Sequence, residues 1–205
     1  MFEVVTLIST GLTFLLSLWL SSLVLDGVII GIPNEWFLLD TLSVFFMVLV
    51  SGSTLAVAVY SISYLRRQVQ NKKVDGKMLR LYYGLLNVFL FTMMLVLVSN
   101  NLGFLWIGVE SSTLATAFLV AFYERESSIE AAWKYVIICS VGITLALFGI
   151  ILTYFSALHV TSSSDNALNW STLILVGNKL DPDILKLAFI FLLVGFGTKA
   201  GLAPC

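Results

Sequence analysis

The chain has 205 residues, of which 59% are hydrophobic and 11% charged, and its net charge is −1. Its mean hydropathy of +1.00 excludes an ordinary soluble domain and a disordered segment alike. The near-neutral charge offers no footprint for nucleic acid, and two distant cysteines, Cys139 and Cys205, with no CxxC pair, define neither a disulfide framework nor a metal-ligand set.

Taken in order, the chain reads as six membrane spans. A helix rises ~1.5 Å per residue, so about 20 apolar residues cross a hydrocarbon core of ~30 Å. Residues 4–25 form the first span, uncharged, with scattered Ser and Thr. No basic segment precedes it and its apolar run is too long for a secretory leader, so it is expected to be retained. Residues 26–35 are a turn-rich connector containing Gly27, Gly31 and Pro33. Residues 36–64 form a second span, longer than a bilayer needs and so expected to tilt or to begin in the interface. Asp40 falls in its first turn, where a carboxylate suits a helix N-terminus.

Residues 66–80 are read as the most basic loop, with Arg66, Arg67, Lys72, Lys73, Lys77 and Arg80 against Asp75 alone. Residues 81–98 are the third span. Asn100 and Asn101 make a tight turn into the fourth, residues 102–123, whose only charge is Glu110. A charged loop at 124–130 leads to a fifth span, 131–155, with Lys134 in its first turns. Residues 156–183 are a polar connection in which His159 reads as a solvent-facing loop residue. Residues 184–204 form the sixth span and contain Lys199. No internal repeat or domain boundary is visible, so residues 1–205 are treated as one membrane domain. Counting Lys and Arg by side places the 66–80 loop and Arg125 in the cytoplasm and only Lys179 opposite, which predicts a cytoplasmic N-terminus in a cell membrane.

Three ionisable groups lie inside spans away from their very ends: Glu110, Lys134 and Lys199. A lone carboxylate at bilayer depth costs roughly 2.5–3.5 kcal/mol on insertion scales, so Glu110 needs a partner. Gly108, Ser112 and Thr116 recur every fourth residue and give a close-packing face. Glu110, Thr113 and Ala117 share the neighbouring face with Trp106, which turns the carboxylate into the bundle. Lys134 lies close enough to Glu130 either to snorkel to the surface or to be buried, and position alone leaves both open. Lys186 is expected to snorkel. Lys199 follows fifteen residues of span and sits among Gly195, Gly197, Gly201 and Pro204, a segment expected to break or kink the helix. Such glycines equally serve close helix packing. A nearby carboxylate holds a buried lysine protonated, and weakening that influence lets desolvation favour the neutral amine. Bringing such charges together and apart moves protons; a static ion pair that only orients helices is the plainer alternative.

With those residues in place, the chain resembles the antiporter-like membrane subunits of respiratory complex I, the Mrp cation/proton antiporters and energy-converting hydrogenases. Its nearest likeness is to the large membrane subunit of formate-hydrogenlyase-type hydrogenases. The resemblance is carried by LLDTLSVFFMVLVSG, by the run from LYYGLLNVF through WIGVESSTLATAFLVAFY, by EAAWKYVIICSVGITLALFG and by FLLVGFGTKAGLAP. It implies that Glu110 in WIGVES is the key carboxylate. It further implies that Lys199 in GTKAGLAP is a central lysine paired with that carboxylate on a broken helix, and that Lys134 in AAWKY is an additional relay lysine. It implies movement of protons, or of Na+ in some members, coupled to redox chemistry in partner subunits. No cofactor, metal or catalysis of the chain's own is expected. In the family the sequence continues beyond KAGLAP into a second, inverted repeat. Residues 81–205 are therefore expected to be an incomplete first repeat after the first spans and basic loop of 1–80, with a second polypeptide or a longer product supplying the rest. The expected fold is all-α and polytopic, with about six transmembrane helices. The expected function is that of a proton-translocating subunit of a hydrogenase- or NADH dehydrogenase-like complex. An Mrp-type Na+/H+ antiporter subunit and a non-conducting assembly subunit stand as alternatives.

Overall fold

The computed structural model describes residues 2–27, 30–31, 36–71, 74–123, 125–161 and 166–202. Helix α1 spans Phe2–Leu25, α2 Thr41–Gln70, α3 Gly76–Val98, α4 Leu102–Val120, α5 Glu126–Leu158, α6 Trp170–Val176 and α7 Pro182–Ala200. One 3-10 turn, Ala121–Tyr123, extends α4, and another, Gly177–Lys179, follows α6. The described extended structure is small: β1, Ile30–Gly31, pairs antiparallel with β2, Leu38–Leu39. Five helices, α1 to α5, are long and apolar enough to cross a membrane. Helix α7 is the sixth long helix anticipated from the sequence; it has 19 residues and carries Asp183, Lys186 and Lys199. The chain is an all-α, multi-pass membrane protein.

Local chemistry sets the helix bounds. Asp40 caps α2, its carboxylate accepting from the Ser43 N–H at 2.7 Å, so the helix starts there rather than at Trp36. The residues before it are extended instead: Leu38 and Leu39 pair with β1, and Phe37 bridges Ser99. The basic stretch is not the loop read from composition. Arg66 and Arg67 lie on the last turns of α2, and Lys77 and Arg80 on the first turns of α3; Lys72 and Lys73 lie outside the described residues. Arg66 donates to Glu3 at 2.8 Å, which ties the start of α1 to the end of α2. The guanidinium of Arg80 lies over the Phe2 ring at 5.9 Å, so the N-terminus and the basic residues share one end of the bundle.

The distribution of side chains is that of a bundle in lipid. Large apolar residues such as Leu15, Trp19, Phe45, Phe91, Phe118 and Phe189 are exposed, while Thr6, Thr10, Ser17, Ser51, Thr54 and Thr113 are buried. Lipid tails are as apolar as leucine, so helices gain by close approach and interhelical hydrogen bonds rather than by hiding leucines. Ser17 and Ser51 meet hydroxyl to hydroxyl at 2.8 Å between α1 and α2, and the Asn87 amide donates to Thr6 Oγ1 at 2.9 Å between α3 and α1.

Helix α7 runs unbroken through Gly195 and Gly197, and helical structure ends at Gly201, whose φ of 71° is left-handed. The Leu202 N–H then closes onto the Gly197 carbonyl at 3.0 Å, a Schellman-type ending. The interruption expected from these glycines is absent through Ala200. Here Gly195 is spent instead on close approach to α5. Pro204 lies outside the described residues.

Opposite the basic end, the turn between α3 and α4 is held by an asparagine clasp that composition does not reveal. Asn101 caps α4 by accepting from the Gly103 N–H at 2.9 Å, and its amide donates to Asn169 Oδ1 at 2.9 Å. Asn100 donates to Ser171 Oγ at 2.9 Å, and the Asn100 carbonyl accepts from the Trp170 N–H at 2.7 Å. Asn101→Ala removes a cap and an interelement bond together. It is expected to cost about 1–2 kcal/mol, read as a lower thermal midpoint of the purified protein in detergent. An unchanged midpoint would show that the clasp adds nothing to stability.

Candidate functional site

Helices α4, α5 and α7 converge near the middle of α4. Gly108 faces α3 so closely that an added Cβ would stand 2.7 Å from Val96 Cγ2. This fixes the opposite side of α4, with Trp106, Glu110 and Thr113, toward α5 and α7. The Trp106 indole N–H donates to the Ile143 carbonyl at 2.9 Å, and Ser140 Oγ donates to Glu110 Oε1 at 3.2 Å. Pairing of 106 with 143 and of 110 with 140 shows α5 running antiparallel to α4. Helix α7 in turn packs on α5 through glycine. A Cβ on Gly142 would overlap Thr198, one on Gly149 would stand 2.8 Å from Leu192 Cγ, and one on Gly195 would stand 2.4 Å from the Ala146 nitrogen. These contacts fix the height of α7 and with it the position of Lys199.

The structure brings Glu110 and Lys199 to the same face of α4 without joining them. Lys199 Nζ donates to the Thr113 hydroxyl. Thr113 is 2% exposed and lies three residues beyond Glu110, so the two side chains are neighbours on one helix face. Among the described residues no ion pair joins Glu110 to an amine. Its Oε2 is buried and has no hydrogen-bond partner there. Each charge of the expected pair thus rests on a hydroxyl, the carboxylate on Ser140 and the ammonium on Thr113.

Lys134 stands apart. Its ammonium pairs with Glu130 Oε1 at 2.5 Å one turn back on α5, and the two side chains are 71% and 66% exposed. Lys186 behaves similarly at the start of α7, pairing with Asp183 at 3.0 Å on the surface. His159 is exposed at the end of α5. Two site residues were not singled out from the sequence. Ser140 carries no signal beyond being a hydroxyl in an apolar run. Tyr135 faces Thr116 and Cys139, with Glu110 close enough to act on it electrostatically, and so extends the polar row from Glu110 toward the basic end. One helical turn separates Tyr135 from Cys139, but nothing in the run WKYVIICS marks that face as inward.

A multi-pass bundle in which an acid and an amine meet one helix face, each on a hydroxyl, is a membrane protein with a candidate ionisable site. The particular family follows from comparison with known proteins. Residues 99–205 match the model described as NADH:quinone oxidoreductase/Mrp antiporter, TM, and residues 35–72 match that of the N-terminus of chain 5 of NADH-ubiquinone oxidoreductase (complex I). The chain belongs to the NADH:quinone oxidoreductase/Mrp antiporter transmembrane family. It is similar to the hydrogenase-4 component F homolog of Methylacidiphilum infernorum, 37% identical over 84% of this chain and 36% of the relative. Its fold matches a chain of the membrane-bound sulfane sulfur reductase, described as an archaeal respiratory membrane complex, with a TM-score of 0.82, 18% identity, and coverage of 98% of this chain and 40% of that one. It also matches a chain of respiratory complex I from Thermus thermophilus, with a TM-score of 0.73, 22% identity, and coverage of 99% and 39%. The chain thus spans little more than a third of the length of the first of these relatives.

Proposed function

We propose that the chain carries one ion-translocating station of a redox-driven membrane complex of the hydrogenase or NADH dehydrogenase type, and that the ion is the proton. The observation that carries this reading is that Glu110 rests on Ser140 while Lys199, from α7, rests on Thr113 of the same α4 face, both part-buried and with no ion pair between them among the described residues. Two such charges in a medium of low dielectric interact strongly, and the strength depends steeply on their separation. A small movement of Lys199 between Thr113 and Glu110 changes how firmly its proton is held, which is what a proton-loading station requires. In this reading Ser140 and, further toward the basic end, Tyr135 with Thr116 beside it mark the side from which the station is loaded. Lys134, at the exposed face of α5, acts as a relay where a further membrane subunit or the rest of a longer chain covers that face. The abundance of Arg and Lys at the end shared with Glu3 supports a cytoplasmic N-terminus.

In this proposal electron transfer belongs to partner subunits. The test is to reconstitute the complex that houses this chain into vesicles, with and without the chain. Electron transfer is expected to persist in its absence while the protons moved per electron fall. An unchanged ratio would leave it an assembly subunit. A requirement for Na+ in the intact complex would instead favour the antiporter reading.

A further inference from the structure

We infer that the Thr113 hydroxyl is the resting dock of the Lys199 ammonium, and that Thr113 and Ser140 together set how readily that ammonium pairs with Glu110. The inference deepens the translocation reading and rests on it for its consequence, but the docking can be measured without transport. The chemistry of a hydroxyl supports it. Thr113 has one O–H, which it donates to the Val109 carbonyl at 2.9 Å. Its oxygen lone pairs are left to accept, and they accept from Lys199. Threonine in a helix ordinarily makes that backward bond to its own backbone. Here the bond also fixes the hydroxyl as an acceptor pointed at the ammonium.

The carboxylate is treated symmetrically. Ser140, from a different helix, donates to Glu110 Oε1, while Oε2 has no partner among the described residues. The ammonium therefore has a neutral acceptor at Thr113 and a charged acceptor three residues back along the same face, within the reach of a flexible four-carbon stem. The packing of Gly195 on Ala146 and of Gly142 on Thr198 holds the backbone of α7 at the height of Thr113. The two docks are thus two states of one side chain, and both hydroxyls favour the separated one. Thr113 and Ser140 are positioning residues: they act through Lys199 and Glu110.

The test is the rate at which acetic anhydride acylates Lys199 in the full chain in lipid nanodiscs, read by mass spectrometry, since an amine held protonated by a carboxylate reacts slowly. Thr113→Val keeps shape and volume and removes the hydroxyl. It is expected to slow acylation about tenfold, the scale of a hydrogen bond to a charged group. Thr113→Ser should stay within about twofold of the parent, and Ser140→Ala, which frees Oε1, should slow the reaction in the same direction. Adding Glu110→Gln to Thr113→Val should restore the rate. A rate unchanged by both Thr113→Val and Ser140→Ala would overturn the inference, as would slowing that persists when Glu110 is replaced. Failure of the transport reading is seen elsewhere, in the proton yield of the complex, so the two outcomes remain distinct.

Discussion

Glu110→Gln is expected to abolish proton movement coupled to electron transfer in the assembled complex, by at least tenfold, while assembly and electron transfer survive. Glutamine keeps the side chain's size, and its carbonyl still accepts from Ser140, so the fold has little to lose. What disappears is the charge. Lys199 rests on Thr113, three residues along the same face of α4, so removing the charge at 110 removes the attraction that competes with that hydroxyl for the ammonium. The measurement is the proton yield per electron in vesicles, beside the electron-transfer rate of the same sample. Normal yield in the variant would remove Glu110 from the mechanism; loss of both rates together would point to failed assembly.

The role given to Glu110 could be argued from sequence because charge in an apolar span is a strong and rare signal. One carboxylate in residues 102–123 must be accommodated, and the spacing of Gly108, Ser112 and Thr116 already divided α4 into a packing side and a polar side. The structure keeps this division at Gly108 but turns Thr116 toward Tyr135 of α5. Gly108 contacts α3, whereas Thr113 and Glu110 turn toward α7 and α5. The family resemblance implied a direct pairing of Glu110 with Lys199; the two instead rest on separate hydroxyls. A lysine's reach of several ångströms lets either arrangement fit the same spacing, so no pattern in the sequence distinguishes them. The six long helices were legible because each contains a long apolar run, whereas the seven-residue α6 inside the polar connection was not, and helix ends were set by single capping bonds. Asp40 moved the start of α2 five residues past Trp36. The basic run at 66–80 looked like a loop only because charge and loop usually coincide. Here α2 and α3 project beyond the apolar region and carry their arginines as helix.

Gly195→Ala is expected to destabilise the protein by about 2–3 kcal/mol and to displace Lys199 from Thr113. A Cβ at this position would lie 2.4 Å from the Ala146 nitrogen, 2.6 Å from its Cβ and 2.7 Å from its Cα. Two of those atoms belong to the backbone of α5, which no rotamer change can move aside, so the helices must part. Overpacking of this kind costs about 1–3 kcal/mol, and lost contacts along Gly142, Gly149 and Leu192 place it toward the upper end. The control is Gly84→Ala on the exposed face of α3, where an added Cβ meets nothing within 4 Å. That change replaces a poor helix former by a good one and should be neutral or stabilise by up to about 1 kcal/mol. Reversible unfolding in mixed micelles reports both. The rate of Lys199 acylation in folded Gly195→Ala then tests whether the height of α7 governs the dock. If stability fell while that rate stayed at the parental value, the packing of α5 on α7 would hold the bundle together without positioning the amine.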